Sequence, residues 1–480
     1  MRAVCPALLF AVLLTPACDR TETRAPASAP PIADTRPVTN ALIDLANKDL
    51  ARGRWVSAKR RAEEALARDP SNADAHAVLG AAHWRGGDWS ASTSALETAL
   101  VHDPTNFGAA VALGRNLQAA GDHARAISLQ DKLLVADPEQ RDPLLCKLWS
   151  QYALLDVDGA LATLDRLFRL ITSDDPLRPL LLARAGFLRP LAGKGPLLTL
   201  SGTKGSSDLQ IDPAQGFRHS LGALGSEVTR VILFEMREET KIHRPLADRL
   251  KLTELGRFTP LGAQSEVSVV LIPELAFGDL KLLNVPAIVD DLTPFTVGEV
   301  PGVVLGRQAL HRIGAVTYDL QRAALELQAA PPTAPPPGSF AAPLLLLDTR
   351  QLLAPVTTIA IGGSPHTFHA ILGGAYASSL TVDRRQFLKS GHLPRELERL
   401  DDPEAGMLMV YIDGVKIGDA VLSGGLGGIV LTNTPPDPVL GHVREGSAFE
   451  LGGYLNTPLF ARMTVTYALS SGKLHITPRP

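Results

Sequence analysis

Cysteine is scarce in this 480-residue sequence, which holds only Cys5, Cys18 and Cys146. Residues 1–18 have the pattern of a signal sequence; Cys5 lies near its start and Cys18 at its end. Cys146 then has no partner, so a disulfide framework is excluded. Because Cys146 lies in an apolar helical stretch, we expect a buried thiol that acts as a small hydrophobic side chain.

An excess of charge of either sign is also lacking. The chain carries 47 lysines and arginines against 50 aspartates and glutamates, which gives a net charge of -3. A protein that binds nucleic acid or an anionic membrane surface through its charge is usually strongly basic. We therefore expect no nucleic-acid partner, and no contact with a membrane except through a lipid anchor.

Motifs that would hold a metal, a nucleotide or a catalytic nucleophile are missing. The 12 histidines form neither a His-Glu-x-x-His motif nor a Cys/His cluster. No Gly-x-x-x-x-Gly-Lys loop and no Gly-x-Ser-x-Gly elbow occurs, so we expect no cofactor and no metal. His366 and His369 lie in a Gly/Pro-rich stretch, where we expect exposed side chains rather than metal ligands.

Beyond the N-terminus there is no apolar run long enough for a transmembrane helix. The segment at residues 7–15 (ALLFAVLLT) follows Arg2 and precedes Ala17-Cys18. This arrangement resembles the lipobox of bacterial lipoproteins, although Thr15 stands where leucine is usual. The resemblance implies lipidation of Cys18 and a membrane-anchored, periplasm-facing protein of the bacterial cell envelope. The alternative is an ordinary secretory signal, with a secreted or soluble periplasmic protein.

Aspartate-proline pairs recur every 34 residues, at Asp69-Pro70, Asp103-Pro104 and Asp137-Pro138. A Leu-Gly pair and a later turn glycine precede the second and third of them, at Leu79-Gly80 with Gly87 and at Leu113-Gly114 with Gly121. Small residues let two helices cross closely, and proline ends the second helix of each pair. The pattern resembles the tetratricopeptide repeat family, which implies stacked antiparallel helix pairs.

Tetratricopeptide stacks usually bind a peptide or a partner domain in a concave groove lined by the first helix of each pair. By the spacing of the family, the candidate groove residues are Asn47, Trp84, Arg115 and Gln118. The resemblance therefore implies a peptide or protein partner. The alternative for each of these residues is a solvated surface or packing against the next domain.

From about residue 196 the helical periodicity gives way to short β-branched runs with glycine turns, such as RVILF, EVSVVLI and GVVLG. A proline-rich stretch, residues 329–342, follows and has the composition of a linker. A second series of such runs comes after it, including PVTTIAIGG, GMLMVYIDG and MTVTYAL. Two β-rich blocks of similar length predict a duplicated fold.

Both blocks resemble a lobe of the retropepsin-like aspartic peptidases. Residues 231–252 and 302–327 resemble the active-site strand and the closing segment of that family in the first block. Residues 358–387 and 449–476 resemble the same two segments in the second block. The resemblance implies a two-lobed module with short helices and a cleft between the lobes.

The catalytic residues of that family are missing. An aspartic peptidase needs one Asp-Thr/Ser-Gly triplet from each lobe, because two carboxylates share a proton at the interface. The matching triplets here are Phe234-Glu235-Met236 and Leu372-Gly373-Gly374. Phe234 and Leu372 therefore stand where the aspartates would be, and we expect these two side chains to pack together between the lobes.

Three glutamates lie near the first triplet. Glu235 follows Phe234 directly, so strand alternation predicts that it faces the other way. Glu238 and Glu239 are expected to be solvated turn residues, or else contacts to a bound peptide backbone. Together with Gly373 and Gly374, these glutamates are the candidate residues of a peptide-binding cleft.

The sequence thus predicts all-α tetratricopeptide hairpins followed by an all-β, two-lobed module with short helices. Its predicted segments are a signal peptide with lipobox (1–18), a tether (19–38), repeats with a capping helix (39–190), lobe 1 (196–328), the linker (329–342) and lobe 2 (343–480). The predicted function is non-catalytic binding of a peptide or protein. The alternatives are an active aspartic endopeptidase with an atypical carboxylate pair and a structural scaffold.

Overall fold

The computed structural model describes residues 36–211, 218–233, 237–293, 300–348, 353–374, 378–391, 407–431 and 451–478. Within these ranges the chain is helical up to residue 191 and mainly β-stranded from residue 199 onward. The predicted order of an all-α part followed by a β-rich part is confirmed. No helix in the described ranges has both the length and the apolar composition needed to cross a membrane.

Nine helices are described in the first part. They are α1 Arg36–Ala51, α2 Trp55–Arg68, α3 Ala73–Gly86, α4 Trp89–His102, α5 Phe107–Ala119, α6 His123–Ala136, α7 Arg141–Leu154, α8 Val157–Leu170 and α9 Arg178–Leu188. Consecutive helices pack as antiparallel pairs around alanine-rich crossings such as Ala58, Ala99 and Ala126, all fully buried. The helical repeats that the 34-residue spacing predicts are therefore present.

Local sequence signals set the ends of these helices. Asn72, Asp88, Asn106 and Asp122 each accept a hydrogen bond from a backbone N–H of the first turn of the following helix. Such caps satisfy donors that the helix itself leaves open. Gly87 ends α3 in the left-handed region, with φ of +78°, which glycine adopts without steric cost.

The β-rich part consists of two blocks that we define by their strands. The first β block, residues 199–328, holds β1 Thr199–Ser201, β2 Lys204–Ile211, β3 Arg218–Leu224, β4 Glu227–Leu233, β5 Thr240–His243, α10 Arg244–Arg249, β6 Glu254–Phe258, β7 Val267–Phe277, β8 Leu280–Asp290, β9 Val303–Leu305, α11 Arg307–Arg312, β10 Ala315–Asp319 and β11 Ala324–Gln328.

The second β block, residues 340–478, repeats much of this order. It holds β12 Phe340–Pro343, β13 Leu345–Asp348, β14 Leu353–Ile361, β15 Thr367–Gly374, β16 Leu380–Asp383, α12 Arg384–Lys389, β17 Met407–Ile417, β18 Ala420–Leu431, β19 Leu451–Asn456, α13 Thr457–Phe460, β20 Met463–Ala468 and β21 Lys473–Pro478. β12 begins inside the stretch that the composition predicts as a linker.

Strand pairing follows the same scheme in both blocks. β4 pairs with β9 in parallel, and β15 pairs with β19 in parallel. β5 lies between a parallel neighbour, β8, and an antiparallel neighbour, β9, and β16 lies in the same way between β18 and β19. Among the described strands, the β-rich part is therefore a duplicated arrangement of barrel-like sheets.

The two blocks meet through a shared central sheet. β10 and β20, which hold equivalent places in their blocks, pair antiparallel, with Thr317 opposite Thr466. β11 and β2 continue the sheet on one side, and β21 and β12 continue it on the other. One hydrophobic core runs from α6 through α9 into both blocks, so the blocks are packed as one body with the last helices.

The helical stack meets the β blocks along the edge formed by the turns inside its helix pairs. Gly87 lies against His369 of the second block, and Gly121 lies against the backbone of Leu469. In the next helix pair, α7–α8, the carbonyl oxygen of Tyr152 near the end of α7 accepts a hydrogen bond from the side-chain amide of Gln308 at 2.8 Å. These successive turns dock side by side onto the β blocks.

Candidate functional site

The predicted second triplet, Leu372-Gly373-Gly374, forms the end of β15. Leu233 at the end of β4 is paired opposite Leu305, and Leu372 of β15 is paired opposite Leu455. Leu305 and Leu455 hold the same place, since each lies two residues ahead of a short helix, α11 or α13. By this register the counterpart of Leu372 is Leu233, one residue before Phe234.

Phe234 and Glu235 lie outside the described residues. The packing of Phe234 on Leu372 and the facing of Glu235 therefore stay predictions. Leu372 itself is 2% exposed and belongs to the main hydrophobic core. Gly373 has φ of +96°, which favours glycine, and the register of β15 shifts between Leu372 and Gly374.

A buried arginine fills the boundary between the blocks beside this turn. The guanidinium of Arg218, on β3, lies 4.3 Å from the ring centroid of Tyr318 and 5.4 Å from those of Phe460 and Tyr467. A Cβ added at Gly373 would lie 3.2 Å from Nη2 of Arg218. The groups next to the turn are thus a cation and three aromatic rings from both blocks.

The sequence predicts that Glu238 is solvated, but in the structure it is buried. Its side chain is 6% exposed and forms a bidentate ion pair with Arg307, which is 5% exposed. Nε of Arg307 donates to Oε2 of Glu238 at 3.1 Å, and Nη2 donates to Oε1. The expectation of a solvated turn residue is wrong, because the start of α11 packs directly on this segment.

Glu239 is also engaged, but by the helical stack. Its Oε1 accepts hydrogen bonds from the hydroxyl of Tyr152 at 2.5 Å and from Nη1 of Arg184. Burial alone would raise the pKa of the Glu239 carboxyl, but the Arg184 guanidinium and the Tyr152 hydroxyl outweigh burial and lower it below 4.5. Glu239 is therefore an ionised anchor, and the expectation that it is solvated is wrong as well.

The candidate groove residues fall into different environments. Asn47 on α1 is exposed, and Arg115 on α5 is 63% exposed with Asp142 at 3.8 Å. Gln118 turns into the stack, where it donates to the carbonyl oxygen of Cys146 at 2.5 Å and to the Ser150 hydroxyl at 2.8 Å. Asn47 and Arg115 thus remain on the open surface, whereas Gln118 joins two helix pairs.

Trp84 is packed against the second β block rather than left on an open groove. Trp84 and Trp89 join a hydrophobic cluster, and the residues of the second block in this cluster are Leu345, Leu347, Ala354, Val356, Ile371, Leu451 and Tyr454. His369 lies 4.8 Å from Trp89, centroid to centroid, and is 5% exposed. The expectation that His369 is exposed to solvent is therefore wrong.

The sequence does not indicate which residues pair with Glu238 and Glu239. Glu238 and Arg307 are 69 residues apart, Arg184 and Glu239 are 55 apart, and Tyr152 and Glu239 are 87 apart. Local periodicity carries no signal at such separations. Among the described residues there is no group of three His, Cys, Asp or Glu side chains placed to hold a metal ion.

An open cleft lies at the end of the helical stack. It has a volume of about 810 Å³ and lies between the start of α8 and residues 191–200. Asp156, Asp158, Lys194 and Arg312 line it together with apolar side chains. The mixture of charges favours no single class of ligand.

Comparison with known proteins identifies the helical part. Residues 49–113 match the profile of the tetratricopeptide repeat family. The N-terminal helices are thus helical repeats of the tetratricopeptide type, with the family match at residues 49–113. No curated protein matches the chain.

Several solved structures are similar to this chain over about a third of its length. A tetratricopeptide repeat protein from Parabacteroides merdae is 19% identical, with a TM-score of 0.29, over 32% of this chain and 60% of that one. MamA from Desulfovibrio magneticus is 16% identical, with a TM-score of 0.28, over 31% and 82%. An O-GlcNAc transferase of Thermobaculum terrenum is 22% identical, with a TM-score of 0.27, over 29% of this chain and only 27% of that enzyme.

Proposed function

We propose that this protein is a non-catalytic, peptide- or protein-binding lipoprotein of the bacterial cell envelope. In this proposal its tetratricopeptide repeats bind the partner, and its β blocks form a degenerate aspartic-peptidase-like module. The observation that carries the proposal is the unequal covering of the repeat groove. The second β block covers Trp84 on α3, whereas Asn47 on α1 and Arg115 on α5 stay exposed, so part of the groove is open to a partner.

Three features support the degenerate module. The strand scheme is duplicated, and the equivalent strands β10 and β20 join the blocks. The side chain of Leu372 is buried. The carboxylates of Glu238 and Glu239 are each tied to an arginine, which leaves neither of them available as a general base.

The binding function is tested with the full chain, immobilised and exposed to a library of unstructured peptides. We expect some peptides to be retained, and Arg115→Glu to weaken their binding by about tenfold through charge reversal in the groove. Arg125→Glu is the matched control, because Arg125 is a similarly exposed arginine on α6, the second helix of its pair, where it forms an ion pair with Glu97 of α4. Equal loss in both variants would contradict a groove site.

Peptide cleavage distinguishes the alternative of an active endopeptidase. We expect no cleavage of the same library at acid or neutral pH. Cleavage that Glu235→Gln abolishes, and that the exposed-residue variant Glu254→Gln retains, would make the protein an enzyme.

The buried Arg218 cluster favours the third possibility, a closed structural scaffold. For a scaffold we expect neither cleavage nor peptide retention, so the same library separates it from the binding function.

Membrane anchoring is tested by cell fractionation. We expect the full chain to stay with the membranes and Cys18→Ser to lose its lipid. Cys5→Ser is the matched control and should behave as the natural chain, because Cys5 precedes the apolar segment and lies far from the lipobox cysteine. An unlipidated natural chain would support the soluble periplasmic or secreted alternative.

A further inference from the structure

A cluster of two histidines and an arginine joins the repeats to the first β block. The rings of His123, at the start of α6, and His311, on α11, lie 5.1 Å apart, centroid to centroid. Nη1 of Arg307 lies 3.4 Å from Nε2 of His123. Nε2 of His311 lies 3.0 Å from the carbonyl oxygen of Gly121, in the α5–α6 turn. The joint is buried, since His123 is 3% and Arg307 is 4% exposed.

These partners fix where the imidazole protons lie. Because an arginine side chain only donates hydrogen bonds, Nε2 of His123 accepts, and its proton is on Nδ1. Because a carbonyl oxygen only accepts, Nε2 of His311 donates to Gly121. Nδ1 of His123 is buried and has no hydrogen-bond partner among the described residues. The contact with Arg307 therefore requires a neutral His123 ring when the joint is closed, whereas the bond from His311 to Gly121 can be made by a neutral or a charged ring.

The surrounding charges disfavour a charged imidazole. On α11, Arg307 and Arg312 both lie close enough to act on His311. In the segment before β5, the carboxylate of Glu238 is already neutralised by Arg307. Other charged or titratable residues around the joint are Asp122, which caps α6, Arg237, whose carbonyl oxygen accepts from the backbone N–H of Arg307, Tyr152 of α7, whose carbonyl oxygen accepts from Gln308 of α11, and the Glu239–Arg184 pair.

We propose that His123 and His311 form a proton-operated latch that releases the first β block from the α5–α6 turn at mildly acidic pH. A proton on Nε2 of His123 replaces an acceptor by a donor that faces the guanidinium of Arg307. A proton on His311 adds a further positive charge between that guanidinium and Arg312. The latch does not depend on whether the β blocks are peptidase-like or on what the groove binds.

The pKa shifts agree with this geometry. Burial, then the charge of Arg307, lowers the pKa of His123 well below 6.5. Burial lowers the pKa of His311 to about 4, against the bond to Gly121, which acts in the opposite direction. The closed joint therefore binds fewer protons than the open one. Its stability is complete above pH 6.5 and is lost as the pH falls toward about 4.

Hydrogen exchange of the full chain measures the opening directly. After correction for intrinsic rates, we expect protection at the α5–α6 turn and at α11 to fall by about tenfold between about pH 7 and about pH 5, the range in which imidazoles gain charge. Protection of α1 and α2, outside the joint, should stay constant. The double variant His123→Gln/His311→Gln should lose the pH response of the joint.

The matched control is the double variant His76→Gln/His102→Gln. The rings of these two histidines lie at a similar distance, 5.4 Å between centroids, and are stacked, and the ring of His76 also contacts a backbone carbonyl, that of Pro70. This variant should keep the response of the natural chain. If it loses the response, or if His123→Gln/His311→Gln keeps it, the latch is refuted.

Imidazole NMR titration of the natural chain gives a second test that does not depend on the folding of a variant. We expect the imidazoles of His123 and His311 to titrate well below 6.5, and both signals to be lost from the spectrum of the double variant where it folds. If all the imidazoles titrate near 6.5, the joint holds no proton-sensitive histidine and the proposal fails.

Discussion

Arg307 donates hydrogen bonds to both carboxylate oxygens of Glu238, and both side chains of this ion pair are buried. The pair fixes the start of α11 on the segment before β5. Through Nη1, the same guanidinium reaches His123 of the repeats. One arginine thus holds together two segments of the first β block and connects them to the helical stack.

Removing one member of this pair should be costly. Glu238→Gln leaves the guanidinium buried without a counter-charge, and we expect a loss of about 3–5 kcal/mol in the free energy of unfolding. Urea unfolding of the full chain measures this loss. Glu254→Gln, which breaks an exposed pair with Arg257, should change little. Equal midpoints for the two variants would mean that water reaches Glu238.

Tyr152→Phe should weaken the contact between α7 and Glu239. Burial raises the pKa of the Tyr152 phenol well above 10, so the hydroxyl is a permanent donor to the carboxylate. Loss of a hydrogen bond to a charged group costs about 1.5–3 kcal/mol.

The effect of Tyr152→Phe should depend on pH. Because the folded pKa of Glu239 lies below its ordinary value of 4.5, this stability is present above pH 4.5 and is lost as the pH falls through the folded pKa. The difference between the variant and the natural chain should therefore shrink in acid. Unfolding curves at neutral and acid pH provide the measurement, and a difference that grows in acid would contradict the assignment.

Three turn glycines at 34-residue spacing offer a matched comparison. Gly53 and Gly121 have φ of +72° and +81°, so alanine at either position pays about 1–2 kcal/mol for a left-handed backbone. A Cβ at Gly53 meets nothing within 4 Å, whereas at Gly121 it collides with the carbonyl oxygen of Leu469. We expect Gly121→Ala to cost about 1–3 kcal/mol more than Gly53→Ala in thermal or urea unfolding.

A Cβ added at Gly87 would collide with a side chain, the ring of His369, and not with backbone. A side-chain ring can move more easily than backbone, so we expect the loss in free energy of unfolding for Gly87→Ala to lie between the losses for the other two variants. If all three glycine variants are equally stable, the turns do not dock on the β blocks.

Cys146 should be chemically inert in the native chain. Burial raises the pKa of its thiol to about 12. At pH 8 the reactive thiolate is then on the order of one molecule in ten thousand, and the sulfur is also covered. In a Cys5→Ser/Cys18→Ser background, we expect iodoacetamide to label Cys146 only in denaturant. Fast labelling of the folded chain would show that the helix pair α5–α6 opens onto α7.

The helical repeats could be predicted because their signals are local. The Asp-Pro pairs, the turn glycines and the alanines at the crossings lie within one helix pair and recur at a fixed distance, and the match of residues 49–113 confirms the repeats. The β-rich half was predictable for a similar reason. EVSVVLI lies largely in β7, and GMLMVYIDG lies largely in β17, where β-branched and apolar runs suit a partly buried strand.

The surroundings of the candidate residues could not be predicted in this way. Glu238 and Glu239 have the polarity of turn residues, and only distant segments turn them into buried ion pairs. Trp84 has the spacing of a groove residue, but the second β block arrives more than 250 residues later in the chain and covers it. The peptidase likeness of the β blocks stays a prediction.

The sequence by itself determined which segments become helices and strands, where the helices end, and that the helices stack as repeats of the tetratricopeptide type. These properties follow from interactions between residues a few positions apart. Only the tertiary structure decided which polar side chains face solvent and which form the joint between repeats and β blocks. The reason is physical: a buried charge such as Arg307 is stable only beside a partner, and its partners, Glu238 and His123, come from segments that folding alone brings together.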